Sequence, residues 1–205
     1  MKIKITKTVW LLSFVSLFTD IASEMLYPVM PVYLKSIGFS ALLIGILEGI
    51  AEATAGLSKG YFGNLSDRKG LRVPFVRLGY FLSSLSKPML AAFTFPIWVF
   101  FSRTLDRLGK GIRTSARDAL LSAESTPETK ARIFGLHRGM DTAGAIIGPV
   151  IALLLFWIFP DNFVLIFLIA FIPGIFSSFL TFLIKEKKLE EKPNIESRSV
   201  FSFLK

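Results

Sequence analysis

The chain has 205 residues, of which 52% are hydrophobic and only 19% are charged. An average soluble domain has about 25% charged residues. Here the apolar residues form long blocks, so the composition disfavours both a disordered chain and a soluble enzyme. Cysteine is absent, which excludes disulfides and thiolate metal sites. The net charge of +9 is typical of the cytoplasmic loops of a membrane protein.

Six stretches are long and apolar enough to predict membrane-crossing helices, because crossing a bilayer takes about 20 mostly apolar residues. They are 9–34, 41–63, 74–94, 97–117, 135–159 and 163–184. We therefore expect an all-α integral membrane protein with a six-helix transmembrane bundle over 1–184. A charged cytoplasmic linker follows over 185–205, where Pro193 interrupts helix formation.

The connections between these stretches alternate in charge. Those at 35–40, 94–96 and 160–162 contain a single cation, Lys35, whereas both tails and the segments 64–72 and 113–138 are rich in lysine and arginine. Cationic loops stay on the cytoplasmic side of a membrane. The alternation predicts a protein of the cell (inner) membrane with both termini in the cytoplasm.

Eight ionisable side chains fall well inside the predicted spans. A charge there costs at least about 2.5 kcal/mol unless it faces a partner or a cavity. Asp20 and Glu24 lie four residues apart and so share one face of the first span. Two carboxyls at this spacing resist joint ionisation, so we expect at least one of them to hold a proton. The other six are Glu48 and Glu52 in the second span, Lys87 in the third, and Arg103, Asp106 and Arg107 in the fourth.

These charges have two interpretations. They can pair with one another and hold helices together, but three bases cannot neutralise five acids one to one, so two acids are left over. Asp20 and Glu24 are favoured as proton-coupling or substrate-binding groups, because ionisable residues inside a membrane most often serve function. Arg103 and Arg107 are equally open to a structural role and to binding an anionic solute. For Lys87 a structural role is favoured.

Two motifs resemble those of a known family. The segment 63–72 reads GNLSDRKGLR, which resembles the loop signature of the major facilitator superfamily, Gly-x-Leu-x-Asp-Arg-x-Gly-x-Arg/Lys. It stands between the second and third spans, where that family carries it. The glycines and the Gly-Pro pair of the fifth span resemble the motif of the superfamily's proton-coupled exporters, although Leu153 and Leu154 replace the paired glycines that normally follow. The residues concerned are Gly63, Asp67, Arg68, Gly70 and Arg72 in the first motif, and Gly135, Gly144, Gly148 and Pro149 in the second.

The resemblance implies that the chain is the N-terminal six-helix half of a twelve-helix transporter. Its partner would be a second six-helix half, either the C-terminal part of a longer chain or a second copy. By the same resemblance, the segment 63–72 is a cytoplasmic gating loop and the glycines of the fifth span form a helix-packing motif. In physical terms, Gly63 and Gly70 would allow tight turns, and Asp67 would cap a helix N-terminus.

The expected function is secondary active transport of a small solute across a lipid bilayer, coupled to protons, with export favoured over import. The alternative is a non-transporting, receptor-like or interaction protein derived from a transporter half. The sequence contains no metal-ligand pattern, phosphate-binding loop or nucleophile–base set, so we expect no enzyme activity, no cofactor and no nucleic-acid partner. A cationic or amphipathic solute would suit Asp20, Glu24, Glu48 and Glu52, whereas an organic anion would suit Arg103 and Arg107.

A last group of charged residues brackets the connection between the fourth and fifth spans. Its histidine is the only one in the chain, and a lone histidine is more often structural than a pH sensor. The group can be a basic face that binds anionic lipid headgroups, or a network at the cytoplasmic gate. Its members are Lys110, Arg113, Arg117, Asp118, Arg132, His137, Arg138 and Asp141.

Overall fold

A computed structural model describes residues 5–186, and within them every regular element is helical. The predicted linker therefore lies outside the described residues from 187 onwards, as do the first four residues of the chain. The helices are α1 (Lys7–Glu24), α2 (Leu26–Ser36), α3 (Ala41–Lys69), α4 (Val73–Ala92), α5 (Pro96–Ala123), α6 (Lys130–Ile158) and α7 (Phe163–Leu180), and a 3-10 turn follows at Thr181–Leu183.

The first predicted span is one helical path with a break at its middle. The helix α1 ends at Glu24 and α2 begins at Leu26, while Met25 between them keeps helical angles of φ −56° and ψ −34°. Pro28 has no N–H to donate to the carbonyl of Glu24, four residues earlier, which explains the break. The two helices together still form one segment of 30 residues that is apolar enough to cross a membrane.

Among the described residues, four helical segments are long and apolar enough to cross a membrane by length and composition: Lys7–Ser36, Ala41–Lys69, Lys130–Ile158 and Phe163–Leu183. The helices α4 and α5 cover the other two predicted spans but are too polar for this criterion. Their polar side chains are buried where the helices pack together. Lys87 of α4 and Arg103, Asp106 and Arg107 of α5 are all buried.

The helices pack in an arc in the order α3, α5, α4, α7, α1, α6. One apolar cluster lies around α2 and the start of α7, and a second lies around the start of α1 and the end of α5. The two helices at the ends of the arc expose broad apolar faces. On α3, Leu42 and Leu57 are exposed, and on α6, Ile146 and Leu153 are exposed. The buried residues of α3 lie on the face that packs on α5.

Candidate functional site

Two ion pairs join α3 to α5. Glu48 accepts two hydrogen bonds from Arg103, with distances of 2.8 Å to Nε and 3.1 Å to Nη2. Glu52 pairs with Arg107 Nε at 3.1 Å. Each pair advances by four residues on both helices in the same direction, so α3 and α5 run parallel and one register makes both contacts. The arginines are buried, whereas the Glu52 side chain is 56% exposed.

A third pair joins α4 to α5. Lys87 is fully buried, and its Nζ donates to Asp106 Oδ1 at 2.7 Å, to the Ser83 carbonyl at 2.8 Å and to Ser23 Oγ at 3.2 Å. Asp106 also lies 3.6 Å from Arg103 Nη1. The carboxylate therefore bridges two cations, and the structural role favoured for Lys87 has a specific partner on α5.

Glycines set the approach of α5 to its two neighbours. A Cβ on Gly111 would lie 2.5 Å from Ser58 Cβ of α3, and a Cβ on Gly109 would lie 2.5 Å from the Gly79 carbonyl oxygen of α4. A side chain at either glycine would push the helices apart. These contacts bring the short acidic side chains of α3 within reach of the α5 arginines. Gly79 could not be singled out from the sequence, because its partner on α5 depends on the helix register.

Asp20 and Glu24 are the two interior acids that remain without a base. Both side chains are half-buried, and neither forms an ion pair within residues 5–186. The three bases predicted in the interior form ion pairs with the other three acids: Lys87 with Asp106, Arg103 with Glu48, and Arg107 with Glu52. The charge count predicted that two acids would be left over, and the structure identifies which two.

The unpaired acids lie where α1 meets α6. A Cβ on Gly144 would lie 2.6 Å from the Leu17 carbonyl oxygen and 3.0 Å from Asp20 Cβ. A Cβ on Gly148 would lie 2.7 Å from the Ile21 carbonyl oxygen and 3.2 Å from the Glu24 carbonyl carbon. The two glycines therefore allow α6 to lie directly against the α1 backbone beside both acids.

The other members of the fifth-span motif are placed differently. Gly135 has nothing within 4 Å of where its Cβ would be. Pro149 lies inside α6, where it cannot donate a backbone hydrogen bond to the carbonyl four residues earlier. Within the described chain, close packing thus involves Gly144 and Gly148 and excludes Gly135.

The predicted gating loop is largely helical. Residues 63–69 continue α3, because no proline interrupts them and the helix ends at Gly70, which has the left-handed φ of +63°. The turn expected at Gly63 is wrong: this residue is buried in the helix, and a Cβ there would lie 2.9 Å from Ser115 Cβ. Asp67 lies in the last turn of α3 and not at a helix N-terminus, and it pairs with Arg72 Nη2 at 3.2 Å.

The start of α4 is fixed by contacts from three other segments. Arg72 Nη1 donates to the Ala119 carbonyl of α5 at 3.2 Å. Glu186 accepts from the backbone N–H of Arg72 at 3.1 Å and of Val73 at 2.7 Å, so its carboxylate caps α4. The sequence did not single out Glu186, since it lies in a run of charges that is typical of a solvated linker. Arg68 is exposed.

A second polar group lies between α1, α5 and α6, near the start of α6 and the end of α5. Arg117 Nη1 donates to Ser16 Oγ at 3.1 Å, and its Nη2 pairs with Asp118 at 3.0 Å. His137 is fully buried, and its Nε2 lies 3.6 Å from Asp141 Oδ1. This geometry brings part of the predicted charged group into the helix bundle, away from the lipid-facing surface. Within the described residues, no group of three histidine, aspartate or glutamate side chains could hold a metal ion.

Comparison with known proteins identifies the family. A family model described as "Major Facilitator Superfamily" matches residues 12–205. An uncharacterized MFS-type transporter of Methanocaldococcus jannaschii is 38% identical over 184 residues, which is 90% of this chain and 46% of the relative. An uncharacterized protein of Mycobacterium tuberculosis is 31% identical over 66% of this chain and 33% of the relative.

A third relative has a more specific name. The multidrug resistance protein MdtH of Photorhabdus laumondii is 28% identical over 69% of this chain and 35% of the relative. In all three cases the match spans less than half of the relative's length. Together with the helical structure and its apolar segments, the family match shows that this chain belongs to the major facilitator superfamily of membrane transporters.

Proposed function

We propose that the chain is the N-terminal six-helix half of a proton-coupled transporter that exports a small cationic or amphipathic solute. The observation that carries this proposal is the position of Asp20 and Glu24, two half-buried acids without a base beside the α1–α6 contact. Acids inside a membrane protein are costly and most often serve transport. A cation or a proton can neutralise this pair, and the two can compete for it.

The charges of α5 disfavour an organic anion as the solute. Arg103 and Arg107 would be the groups to bind it, but each already pairs with a glutamate of α3. An anion would have to compete with Glu48 or Glu52 for the same arginine, and the carboxylate that it displaced would lose its partner. Glu48 and Glu52 accordingly hold the cavity wall formed by α3 and α5, and Asp20 and Glu24 bind the solute or proton.

The second half would cover the ends of the arc. The apolar faces of α3 and α6 flank the polar face that contains Asp20 and Glu24. Lipid alone cannot satisfy such polar groups, so a covering partner is needed. We infer a second six-helix half, either a C-terminal continuation or a second copy, with all six spans of this half in the cell membrane and both termini in the cytoplasm.

The segment at 63–72 would bias the transporter between its two conformations. Asp67, Arg72 and Glu186 tie together the ends of α3, α4 and α5 and the chain after α7. These contacts lie at the cytoplasmic ends of the helices and away from Asp20 and Glu24. A segment placed in this way affects the populations of states without touching the solute.

Transport by the full-length protein in proteoliposomes tests the proposal, with ethidium as a cationic probe and a proton gradient that is acidic on the side to which the probe is exported. We expect wild type to accumulate ethidium against its gradient. Glu24→Gln should abolish accumulation but keep passive ethidium equilibration, and Asp20→Asn should act in the same direction. The control is Glu128→Gln, which removes an exposed carboxylate between α5 and α6.

Normal proton-driven accumulation in both single variants would return these acids to a structural role. Accumulation of an organic anion such as benzoate, with no movement of ethidium, would reverse the assigned charge of the solute. Stabilisation of the purified protein by ethidium separates the two roles: if Glu24→Gln keeps it, as Glu128→Gln should, Glu24 serves proton coupling, and if only Glu24→Gln loses it, Glu24 binds the solute.

A further inference from the structure

His137 and Asp141 form a pair of side chains with three unused polar atoms. Both nitrogens of the His137 ring and Asp141 Oδ1 have no hydrogen-bond partner within the described residues. The ring is fully buried, and Nε2 lies 3.6 Å from Asp141 Oδ1. That distance exceeds the 2.7–3.2 Å or so of a direct N–H···O bond. Buried polar groups nearly always have a hydrogen-bond partner. We therefore expect either a proton on one of these two side chains or a water that bridges them.

The pair continues the line of the two unpaired acids toward the cytoplasm. Gly144 lies beside Asp20 and Gly148 beside Glu24, so α1 and α6 run parallel in one register. Asp141 precedes Gly144 by three residues, and His137 precedes Asp141 by one turn, which is about 6 Å along the helix. The order from the cytoplasmic end toward the middle of the bundle is therefore His137, Asp141, Asp20 and Glu24.

Charges of both signs surround the pair. The ring of His137 is influenced by Arg117 and Asp118 of α5 and by Arg138 and Asp141 of its own helix, two positive and two negative groups. Arg138, whose side chain is 62% exposed, also pairs with Asp141 Oδ2 at 3.3 Å. From α1 the nearby acid is Asp20, which interacts with Asp141, and α5 adds Lys110, Arg113 and Arg117 on the Asp20 side. With Lys110 and Arg113 included, the group contains four basic and three acidic side chains, so a change of charge at one acid alters the electrostatic potential at the others and at His137.

We infer that His137 and Asp141 form a second proton-binding site, which passes protons between the cytoplasm and Asp20. In the release step Asp20 passes its proton to Asp141, the proton crosses the gap to His137, and His137 gives it to a cytoplasmic water. Each transfer breaks one O–H or N–H bond and forms another, so no further reactant is needed. Chains of acids and histidines act in this way in other membrane transporters. The inference rests on the proposed proton coupling at Asp20 and gives that site its route to the cytoplasm.

The single histidine of these 205 residues makes a direct measurement possible. Full-length protein labelled with 15N-histidine gives ring signals that report the protonation of His137, assigned by their loss in His137→Gln. If the two sites exchange and share protons, Asp20→Asn and Asp141→Asn should each shift the pH midpoint of the His137 signal by about 0.5 unit or more. Lys130→Gln is the control, since it removes an exposed charge at the start of the same helix.

Ethidium transport in proteoliposomes gives the second measurement. His137→Gln should slow proton-driven accumulation at least about tenfold, change the pH dependence of the rate, and leave passive ethidium equilibration at the wild-type level. A purely structural histidine would alter both kinds of transport equally. His137→Asn is a second variant that keeps a polar side chain of related size. If it and His137→Gln both lose proton-driven accumulation and both keep passive equilibration, the loss does not come from a defect in folding.

The outcomes separate this inference from the proposed function. If Asp20→Asn and Asp141→Asn leave the His137 midpoint unchanged, the second site is refuted whatever transport shows. If they shift it while wild type moves no ethidium against a proton gradient, the site stands and the proposed coupled transport of a cation fails. If the midpoint shifts and His137→Gln transports normally, the pair binds a proton but is not on the route, and the inference is refuted in that part.

Discussion

Loss of the Asp106 carboxylate should be the most destabilising single charge change in the bundle. Asp106 is the only carboxylate within 4 Å of the fully buried Lys87 among the described residues, at 2.7 Å. Asp106→Asn leaves that ammonium buried without a counter-ion, which costs about 3–5 kcal/mol. Lys87→Met is expected to cost less, about 1.5–3 kcal/mol for a lost hydrogen bond to a charged group. The remaining carboxylate still lies 3.6 Å from Arg103.

The double variant Lys87→Met/Asp106→Leu should recover most of the stability, because replacing both partners of a buried pair by apolar groups is often neutral. The free energy of unfolding of full-length protein in mixed detergent micelles, followed by tryptophan fluorescence, measures all three. Asp67→Asn is the matched control: its side chain is 65% exposed, so its pair with Arg72 should contribute about 0–1 kcal/mol. Equal costs for the two single variants, or a double variant worse than their sum, would refute the reasoning.

The remaining predictions concern packing and topology. Gly144→Ala should destabilise the protein by about 1–3 kcal/mol, because its Cβ would lie 2.6 Å from the Leu17 carbonyl oxygen. Gly139→Ala is the matched control, since a Cβ there has nothing within 4 Å. Equal melting temperatures for the two variants would contradict the α1–α6 contact. Cysteines placed at the exposed residues Ser40 and Asn162 should react with an impermeant thiol reagent outside cells, and a cysteine at the exposed Lys69 should not; the opposite pattern of labelling would reverse the topology.

Helix positions could be predicted from the sequence to within a few residues for most elements, because apolar runs and prolines mark them directly. The exceptions are α3 and α5, which extend to Lys69 and Ala123 beyond their predicted ends, and α6, which begins at Lys130, before its predicted start at 135. The predicted spans stopped where polar residues begin. A polar sequence can nevertheless remain helical where its side chains are buried or form hydrogen bonds. Gly63 is the clearest case. The glycine suggested a turn, but it lies inside α3 and allows α5 to pack closely against that helix.

The pairing of the interior charges could be predicted only as a count. Five acids and three bases imply two unpaired acids, but which two depends on the register between helices. That register is set by contacts such as Gly111 against Ser58 and Gly109 against Gly79, which connect residues far apart in the chain. The cap of α4 by Glu186 likewise depends on where the chain returns after α7.

The two sides of the arc differ in how firmly their helices are joined. On one side, ion pairs fix α3, α5 and α4 to one another, and shifting one helix would break buried charge contacts. On the other side, α1 and α6 meet through glycines and backbone, with no ion pair between the two helices in the described chain. Sliding of α6 along α1 at this glycine contact breaks few interactions. We therefore expect these two helices to move before the ion-paired helices do. Because Asp20 and Glu24 lie at that contact, a small shift of α6 changes their access to water and can couple proton binding to the change of conformation.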